Sequence, residues 1–446
     1  MPGGLIRSCG MGLDRRASSL LTVFVLSACA AAPSEPPAST PSVSVVPEPT
    51  PPGAPDRVEP ARREGFPLGE PATEGIDRAA LDALVAEARA QHSEALVVVK
   101  NGKLVVEEYF GFEDEPIMAM SASKSFTALA FAFLLEEKKL ASLDEPVAKI
   151  VPGFATADPR KANITYRHLL TQTSGIDPKR ATGSKRDIEA RGIAASCLFE
   201  PGSSWQYSNA GFDLLAALAG KLAGRPMDRY LNEKLFRPLG IADVVWMRDK
   251  KGVPLGAGEM EIRPLDMAKI GQALLAGGRW ASVQVIPKTW PELSFAPSSM
   301  HEPLYGLSWW RVAPVTAHGL TTEVIAQWRT AGLADAIAAK LEALVGRRYA
   351  TYPKYQAALR SVLDRNELQA LDALVLAGDH LPTSRNLEVG PATAFDAAGW
   401  LGQFLVVVPD KQLVAVRMRR ARASDYDGPE VDGFGSFPTD VPKLVP

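Results

Sequence analysis

Ser121-Ala122-Ser123-Lys124-Ser125-Phe126-Thr127-Ala128-Leu129-Ala130-Phe131-Ala132-Phe133-Leu134-Leu135 is the stretch on which the reading of this chain turns. It opens with the one S-x-x-K of the sequence, and residues three apart on a helix share a face, so Ser121 and Lys124 project together. Phe126, Leu129, Phe131, Phe133, Leu134 and Leu135 then leave no polar side, and a helix that is apolar all round is buried. A serine at the exposed start of a buried helix is offered backbone N–H groups and the positive end of the helix dipole, which stabilise a developing oxyanion. A lysine beside it is placed to take the hydroxyl proton. Taken alone, S-x-x-K is an ordinary polar helix start; the buried helix behind it raises its weight.

Downstream, Pro201-Gly202-Ser203-Ser204-Trp205 leads into Tyr207-Ser208-Asn209. Asn209 is a candidate cap for a helix carrying Leu214, Leu215, Leu218 and Leu222 and ending at Gly224, with Pro226 beyond. Tyr207 then projects from the loop before that helix, and a Tyr beside a cation is a candidate base. By itself it would read as a half-buried structural residue.

Ile76 to Gln91 has helical spacing. Ala95–Val99 and Leu104–Val106 flank Asn101-Gly102, the strongest short hairpin signal. Phe404–Val408 and Leu413–Val416 form a second hairpin around Pro409-Asp410. Strands from both ends are expected to meet in one antiparallel sheet with helices inserted between them, an α+β fold.

S-x-x-K followed by Y-x-N resembles the signature of the serine β-lactamase and penicillin-binding-protein superfamily, in its class C-like branch. Other segments resemble the same family: Ile164-Thr165-Tyr166-Arg167-His168-Leu169-Leu170-Thr171-Gln172-Thr173-Ser174-Gly175, Pro238-Leu239-Gly240, and Pro264-Leu265-Asp266-Met267-Ala268-Lys269. The resemblance runs from about Gly75 to Arg419. It implies a β-lactamase/transpeptidase-like fold in which Ser121 attacks a carbonyl to form an acyl-enzyme. Lys124 and Tyr207 would share the proton work, with either as the base. Asn209 would orient the substrate or Lys124. The family's third motif aligns with Ala397-Ala398-Gly399, where Gly399 lets substrate approach the strand. The N–H groups of Ser121 and Trp400 would then make the oxyanion hole.

Three departures qualify this. Ala397 stands where the family usually places Lys or His, a cation that often meets a substrate carboxylate; its absence favours a neutral ester or amide. Between Trp310 and Thr393, at about 316–390, lies a helical insert with apolar stripes at Ile337, Leu341, Leu344 and Val345 and at Leu359, Val362, Leu363, Leu368 and Leu371. It either roofs the cleft as a lid or decorates the surface. After Arg422 the chain is rich in Asp, Gly and Pro, leaving a short helix or a coil to close the fold.

The N-terminus reads as a leader. Arg15 and Arg16 precede Leu20–Leu26, a run shorter than the roughly 20 apolar residues that span a bilayer. With small residues after it, it resembles a secretory signal peptide. Leu26-Ser27-Ala28-Cys29 resembles the lipobox of bacterial lipoproteins, in which Cys29 would carry the lipid anchor; cleavage among Ala28 to Ala32, releasing an exported soluble protein, is the plainer alternative. Residues 30–64 are dense in Pro, Ser, Ala and Glu and cannot bury enough surface to fold. At about 3.1 Å per residue the Pro-rich stretch reaches on the order of 80 Å, a tether to a hydrolase domain at 65–446. The expected location is a bacterial membrane surface, facing the periplasm or cell exterior.

The 446 residues are 46% hydrophobic and 22% charged, with a net charge of −2, which offers no broad electrostatic basis for nucleic-acid binding. Arg417–Arg422 is the densest basic stretch and reads as a solvated strand end. Of three cysteines only Cys197 lies in the body, so the fold holds without an internal disulfide. No paired-histidine metal motif, G-x-S-x-G or phosphate loop is present, and no cofactor or metal is implied. The expected partners are a small-molecule or peptide substrate and a membrane. The competing readings are a D,D-peptidase or β-lactamase acting on cell-wall peptides or β-lactams, and a non-catalytic binding protein on the same fold.

Overall fold

The computed structural model describes residues 64–177, 187–377, 385–422, 425 and 434–446. The leader with Cys29, and the Pro-rich segment through residue 63, lie outside them.

Helix α1 (Arg78–Ala90) starts on Asp77, whose side chain accepts from the Ala80 N–H. Strands β1 (Ala95–Lys100) and β2 (Lys103–Glu108) follow, joined by Asn101 and Gly102, both at positive φ (53° and 74°) as their tight turn requires. The S-x-x-K serine then leads into α2 (Ser123–Glu136), buried from Ser123 through Leu134. Later come α3 (Asn209–Ala223), α4 (Pro264–Leu275) and β3 (Trp310–Val312).

After β3 comes the insert. Its two ends, β4 (Val315–Gly319) and β5 (Arg385–Val389), pair antiparallel. Between them lie α5 (Thr322–Ala331), α6 (Asp335–Glu342), α7 (Tyr352–Val362) and α8 (Arg365–Ala377). Val324, Trp328, Ile337, Leu341, Leu344, Tyr355, Leu363 and Leu371 pack into a core of their own. Both apolar stripes seen in the sequence contribute to it.

Strands β6 (Ala394–Gly399), β7 (Gln403–Val408) and β8 (Leu413–Met418) complete the main sheet. Its order is β2-β1-β8-β7-β6-β3, antiparallel throughout, with Val97 opposite Val416 and Ala397 opposite Leu405. The two ends of the chain do meet in one sheet. Val97, Val99, Leu405, Val407, Val414 and Val416 pack into the core that holds α2 and α4. Leu96, Val98, Phe404, Val406 and Ala415 face the opposite core, with Leu81 and Leu84 of α1. Covering both faces is why these strands read as unbroken apolar runs rather than as alternating ones. Gly271 allows α4 to approach closely: a Cβ there would lie 2.5 Å from the Leu405 side chain.

The open question at the C-terminus resolves as a short helix, α9 (Phe437–Asp440), followed by a tight turn over Val441–Leu444. Phe437, Val441 and Leu444 close the second core, and the Asp77 N–H donates to the Leu444 carbonyl at 2.8 Å. Among the described residues no helix is long and apolar enough to cross a membrane.

The basic stretch departs from expectation. Arg417 is fully buried, and Arg419 is nearly so and paired with Asp425 at 2.6 Å. Arg420 reaches Glu94 at 2.7 Å. Carbonyls at the end of the sheet draw Arg417 inward and acidic partners hold Arg419 and Arg420, where sequence pattern alone suggested solvent.

Candidate active site

Ser121 sits in a single tight turn, Met120–Ala122, just before α2. Met120 enters that turn at φ 49°, a backbone region that costs a non-glycine residue on the order of 1–3 kcal/mol and that concentrates at functional sites. Lys124 is 2% exposed. Its Nζ lies 3.2 Å from Ser121 Oγ, 2.7 Å from Asn209 Oδ1 and 2.6 Å from the Ala257 carbonyl oxygen. The last two can only accept, so they fix two N–H directions of the amine and leave the remaining one aimed at the serine. The Tyr207 ring centroid is 4.7 Å from the same nitrogen, within cation–π range.

Tyr207 is held by Gln172 from both neighbours. The Gln206 N–H donates to the Gln172 carbonyl at 2.9 Å, and the Ser208 N–H donates to Gln172 Oε1 at 2.8 Å. Asn209 is not the cap of α3, as its position suggested. Ser208, extended at φ −142°, caps the helix by accepting from the Gly211 N–H, and Asn209 is the first helical residue, its amide turned to Lys124. Either residue type can cap; tertiary demand from the lysine decides which does. Trp205, Tyr207 and Tyr305 form a buried aromatic cluster against Trp310.

The opposite wall is the end of β6. A Cβ on Gly399 would fall 2.4 Å from the Ala119 carbonyl oxygen and 3.1 Å from the Ala122 nitrogen, so only glycine lets the strand abut the Ser121 turn. Trp400 follows at once. Ala397 shares the sheet face of Gly399 and is buried, so no cation is presented at that position. The turn after Gly399 passes through Leu401 at φ 64° and is tied down by Arg417. Its guanidinium donates to the Leu401 carbonyl, to the Gly402 carbonyl at 3.0 Å, to the Gln91 carbonyl at 2.7 Å and to Ser93 Oγ at 2.7 Å.

Sequence reasoning missed Gln172 and Arg417 as supports, and missed Asp213 altogether. Asp213 Oδ1 accepts from the Ala257 N–H at 3.0 Å, fixing the peptide whose carbonyl holds Lys124. It lies one helical turn beyond Asn209, so one face of α3 reaches Lys124 directly and also through this backbone relay. A lone Asp in an apolar helix four residues after the Y-x-N asparagine was the available signal. Burial, reinforced by the neighbouring Glu259 carboxyl, pushes the Asp213 carboxyl up to about 8. Glu259, itself at φ 55°, is also raised by burial, against the opposing pull of Lys124. Burial drives the Cys197 thiol up to about 11, so it supplies no thiolate nucleophile near neutral pH. Among the described residues, no group of three or more His, Cys, Asp or Glu is disposed to hold a metal.

Comparison with known proteins agrees with this arrangement. Esterase EstB of Burkholderia gladioli is 30% identical over 215 residues, 43% of this chain and 51% of the relative. A penicillin-binding protein of Bacillus subtilis is 29% identical over 174 residues, 34% of this chain and 37% of the relative. The chain thus spans about a third to a half of the length of the curated relatives it matches. Among solved structures, EstCE1, a hydrolase with promiscuous acyltransferase activity, superposes with a TM-score of 0.51 over 82% of this chain and 97% of its own, at 16% identity, a likeness of fold. The Beta-lactamase family model matches residues 81–428, and the chain belongs to that family, within the serine β-lactamase and penicillin-binding-protein superfamily.

Proposed function

We propose that the protein is a serine hydrolase that cleaves a neutral ester or amide through an acyl-enzyme on Ser121. The observation that carries this reading is the Lys124 amine, two of its directions fixed by Asn209 and Ala257 and the third aimed at Ser121 Oγ. Ser121 Oγ attacks the substrate carbonyl carbon while its proton passes to the Lys124–Tyr207 pair. The N–H groups of Ser121 and Trp400 receive the oxyanion. Collapse expels the alcohol or amine, which takes up that proton. Water, activated by the same pair, then releases the acid and regenerates the serine.

Ala397 supports the choice of a neutral substrate, because a β-lactam or a D-Ala-D-Ala peptide would bring a carboxylate to a strand that offers it no cation. The signal-like leader and Cys29 support export and lipid anchoring, with the Pro-rich segment as tether. Metabolic labelling with a tritiated fatty acid should mark the full chain and be lost on Cys29→Ser.

The test is labelling of the purified protein by a fluorophosphonate probe, with Ser121→Ala as control, beside turnover of p-nitrophenyl esters. Labelling that disappears in the variant, accompanied by ester turnover, is the expected result. A well-folded wild type that neither labels nor turns over any ester would overturn the hydrolase reading in favour of a binding protein.

A further inference from the structure

The helical insert touches the site through helix α5. Gln327 on α5 is buried, and its Nε2 donates to Ser204 Oγ at 2.8 Å and to the Trp205 carbonyl at 3.1 Å. These are the third and second residues before Tyr207. One turn earlier on the same helix face, Glu323 lies within the field of His301, whose Nε2 is 3.2 Å from the Gly202 carbonyl oxygen. Helix α5 is therefore bonded to the 202–205 loop, which His301 in turn ties to the 301–305 loop. Those loops supply Trp205 and Tyr305, the rings packed with Tyr207. The Trp205 ring stands 6.5 Å from Tyr207 and 5.8 Å from Tyr305.

The Tyr207 segment thus has two clamps of different origin. Gln172, from the main domain, fixes the backbone at Gln206 and Ser208. Gln327, from the insert, holds the segment through the Ser204 hydroxyl and the Trp205 carbonyl. Aromatic packing holds the Trp205 ring, and the Gln327 carboxamide adds a directional hydrogen bond to the carbonyl of the same residue. A proton-transfer group needs its oxygen held to a fraction of an ångström, and the residues that hold it need not touch substrate.

We infer that the insert is a fixed part of the active-site scaffold, and that Gln327 is a positioning residue acting on the proposed reaction through the Ser204 hydroxyl, the Trp205 carbonyl and Tyr207. The inference rests on the hydrolase reading above and gives the insert a role there: a brace bonded to the rear of the Tyr207 loop rather than a lid that must open for turnover. Its core of its own keeps α5 rigid enough to serve. The carboxamide is well suited to the task, since one NH2 group satisfies a hydroxyl and a carbonyl together.

The experiment uses the whole protein and p-nitrophenyl ester turnover in four forms: wild type, Gln327→Met, Tyr207→Phe and the double variant. Methionine matches glutamine in length and keeps the packing while removing both hydrogen bonds. Gln327→Met should lower kcat about ten- to a hundred-fold. KM should change little, and the melting temperature should fall by only a few degrees, because the buried Trp205 carbonyl and Ser204 hydroxyl lose their donor. In the Tyr207→Phe background the same substitution should have almost no further effect, because the group it positions is gone. Ser204→Ala should reproduce part of the loss and fail to add to Gln327→Met. A folded Gln327→Met enzyme with kcat within two-fold of wild type would overturn the inference. So would a loss that multiplies fully with Tyr207→Phe, which would place the effect elsewhere. Failure of the hydrolase reading is distinguishable, because it would appear first, as a wild type that neither labels on Ser121 nor turns over ester.

Discussion

The two walls of the cleft are built on opposite principles. On the helix side the amine beside Ser121 is tied on every side: Lys124 is held by three acceptors, and Asn209 and Asp213 brace it from successive turns of α3. On the strand side β6 brings almost no side-chain chemistry. It offers Ala397, a glycine that touches the Ser121 turn, and a backbone turn that Arg417 secures from beneath. The contrast teaches which parts of such a site are tied to the reaction and which to the substrate. Moving a proton and holding an oxyanion need a fixed amine and fixed N–H groups whatever is cleaved. The strand side chain answers to the substrate's charge and can be dispensed with when that charge is absent.

The largest effect should come from the helix side. Lys124→Met should reduce ester turnover about a thousand-fold, the usual size for loss of a proton-transfer group. It also leaves Asn209 Oδ1 and the Ala257 carbonyl without their donor in a buried place, so stability should drop by about 1–3 kcal/mol. Steady-state kinetics and urea denaturation on the same sample separate the two. Turnover that survives in a folded Lys124→Met protein would break the comparison, because the strand wall would then hold more of the chemistry than its residues suggest.

The strand side should respond more modestly, and in a substrate-dependent way. Ala397→Lys restores a cation on the sheet face shared with Gly399. Turnover of an ester bearing a carboxylate should rise about ten-fold, the scale of one charge-assisted hydrogen bond, while that of its neutral analogue stays level or falls. The informative number is the ratio of kcat/KM for the two esters. An unchanged ratio in a folded variant would mean that position 397 does not face the substrate and that the third motif lies elsewhere on the strand.

The same division explains what the sequence made legible. Ser121, Lys124, Tyr207 and Asn209 were readable because each sits at a fixed spacing from an apolar helix, and the structure gathers the other three around the Lys124 amine. The sheet was readable because Asn101-Gly102 and two runs of Val and Leu carry local signals. The supports were not. Gln172 lies 36 residues from its partner Ser208 and Gln327 lies 123 from its partner Ser204, and no local period marks either. Arg417 looked solvent-facing because charge is a poor guide where a sheet end presents several carbonyls at once. The Asn209 cap was misjudged by one position for a related reason: Ser208 and Asn209 have nearly equal intrinsic merit, and Lys124, distant in sequence, breaks the tie.

The smallest effect concerns the brace behind the lysine. Burial, with the Glu259 and Asp249 carboxyls adding to it against the pull of the Ala257 N–H and Lys124, pushes the Asp213 carboxyl up to about 8, whereas an unfolded Asp titrates at about 4. Between those values the folded chain keeps a proton that the unfolded chain releases, so this group makes stability fall as pH rises through that window. The carboxamide introduced by Asp213→Asn still offers an oxygen to the Ala257 N–H but has no proton to lose. The variant's urea midpoint should therefore gain on the wild type steadily from pH 5 to pH 8. Asp396, pushed up to about 7 by its own burial, contributes a similar fall to both proteins and cancels from the difference. Near pH 6 the variant should hydrolyse esters within a few-fold of wild type, since Lys124 keeps its carbonyl partner. A midpoint difference that does not vary with pH would mean that Asp213 is ionised in the folded state. Lys124 would then be braced by a carboxylate rather than by a neutral acid, and the helix wall would be more strongly charged than its burial implies.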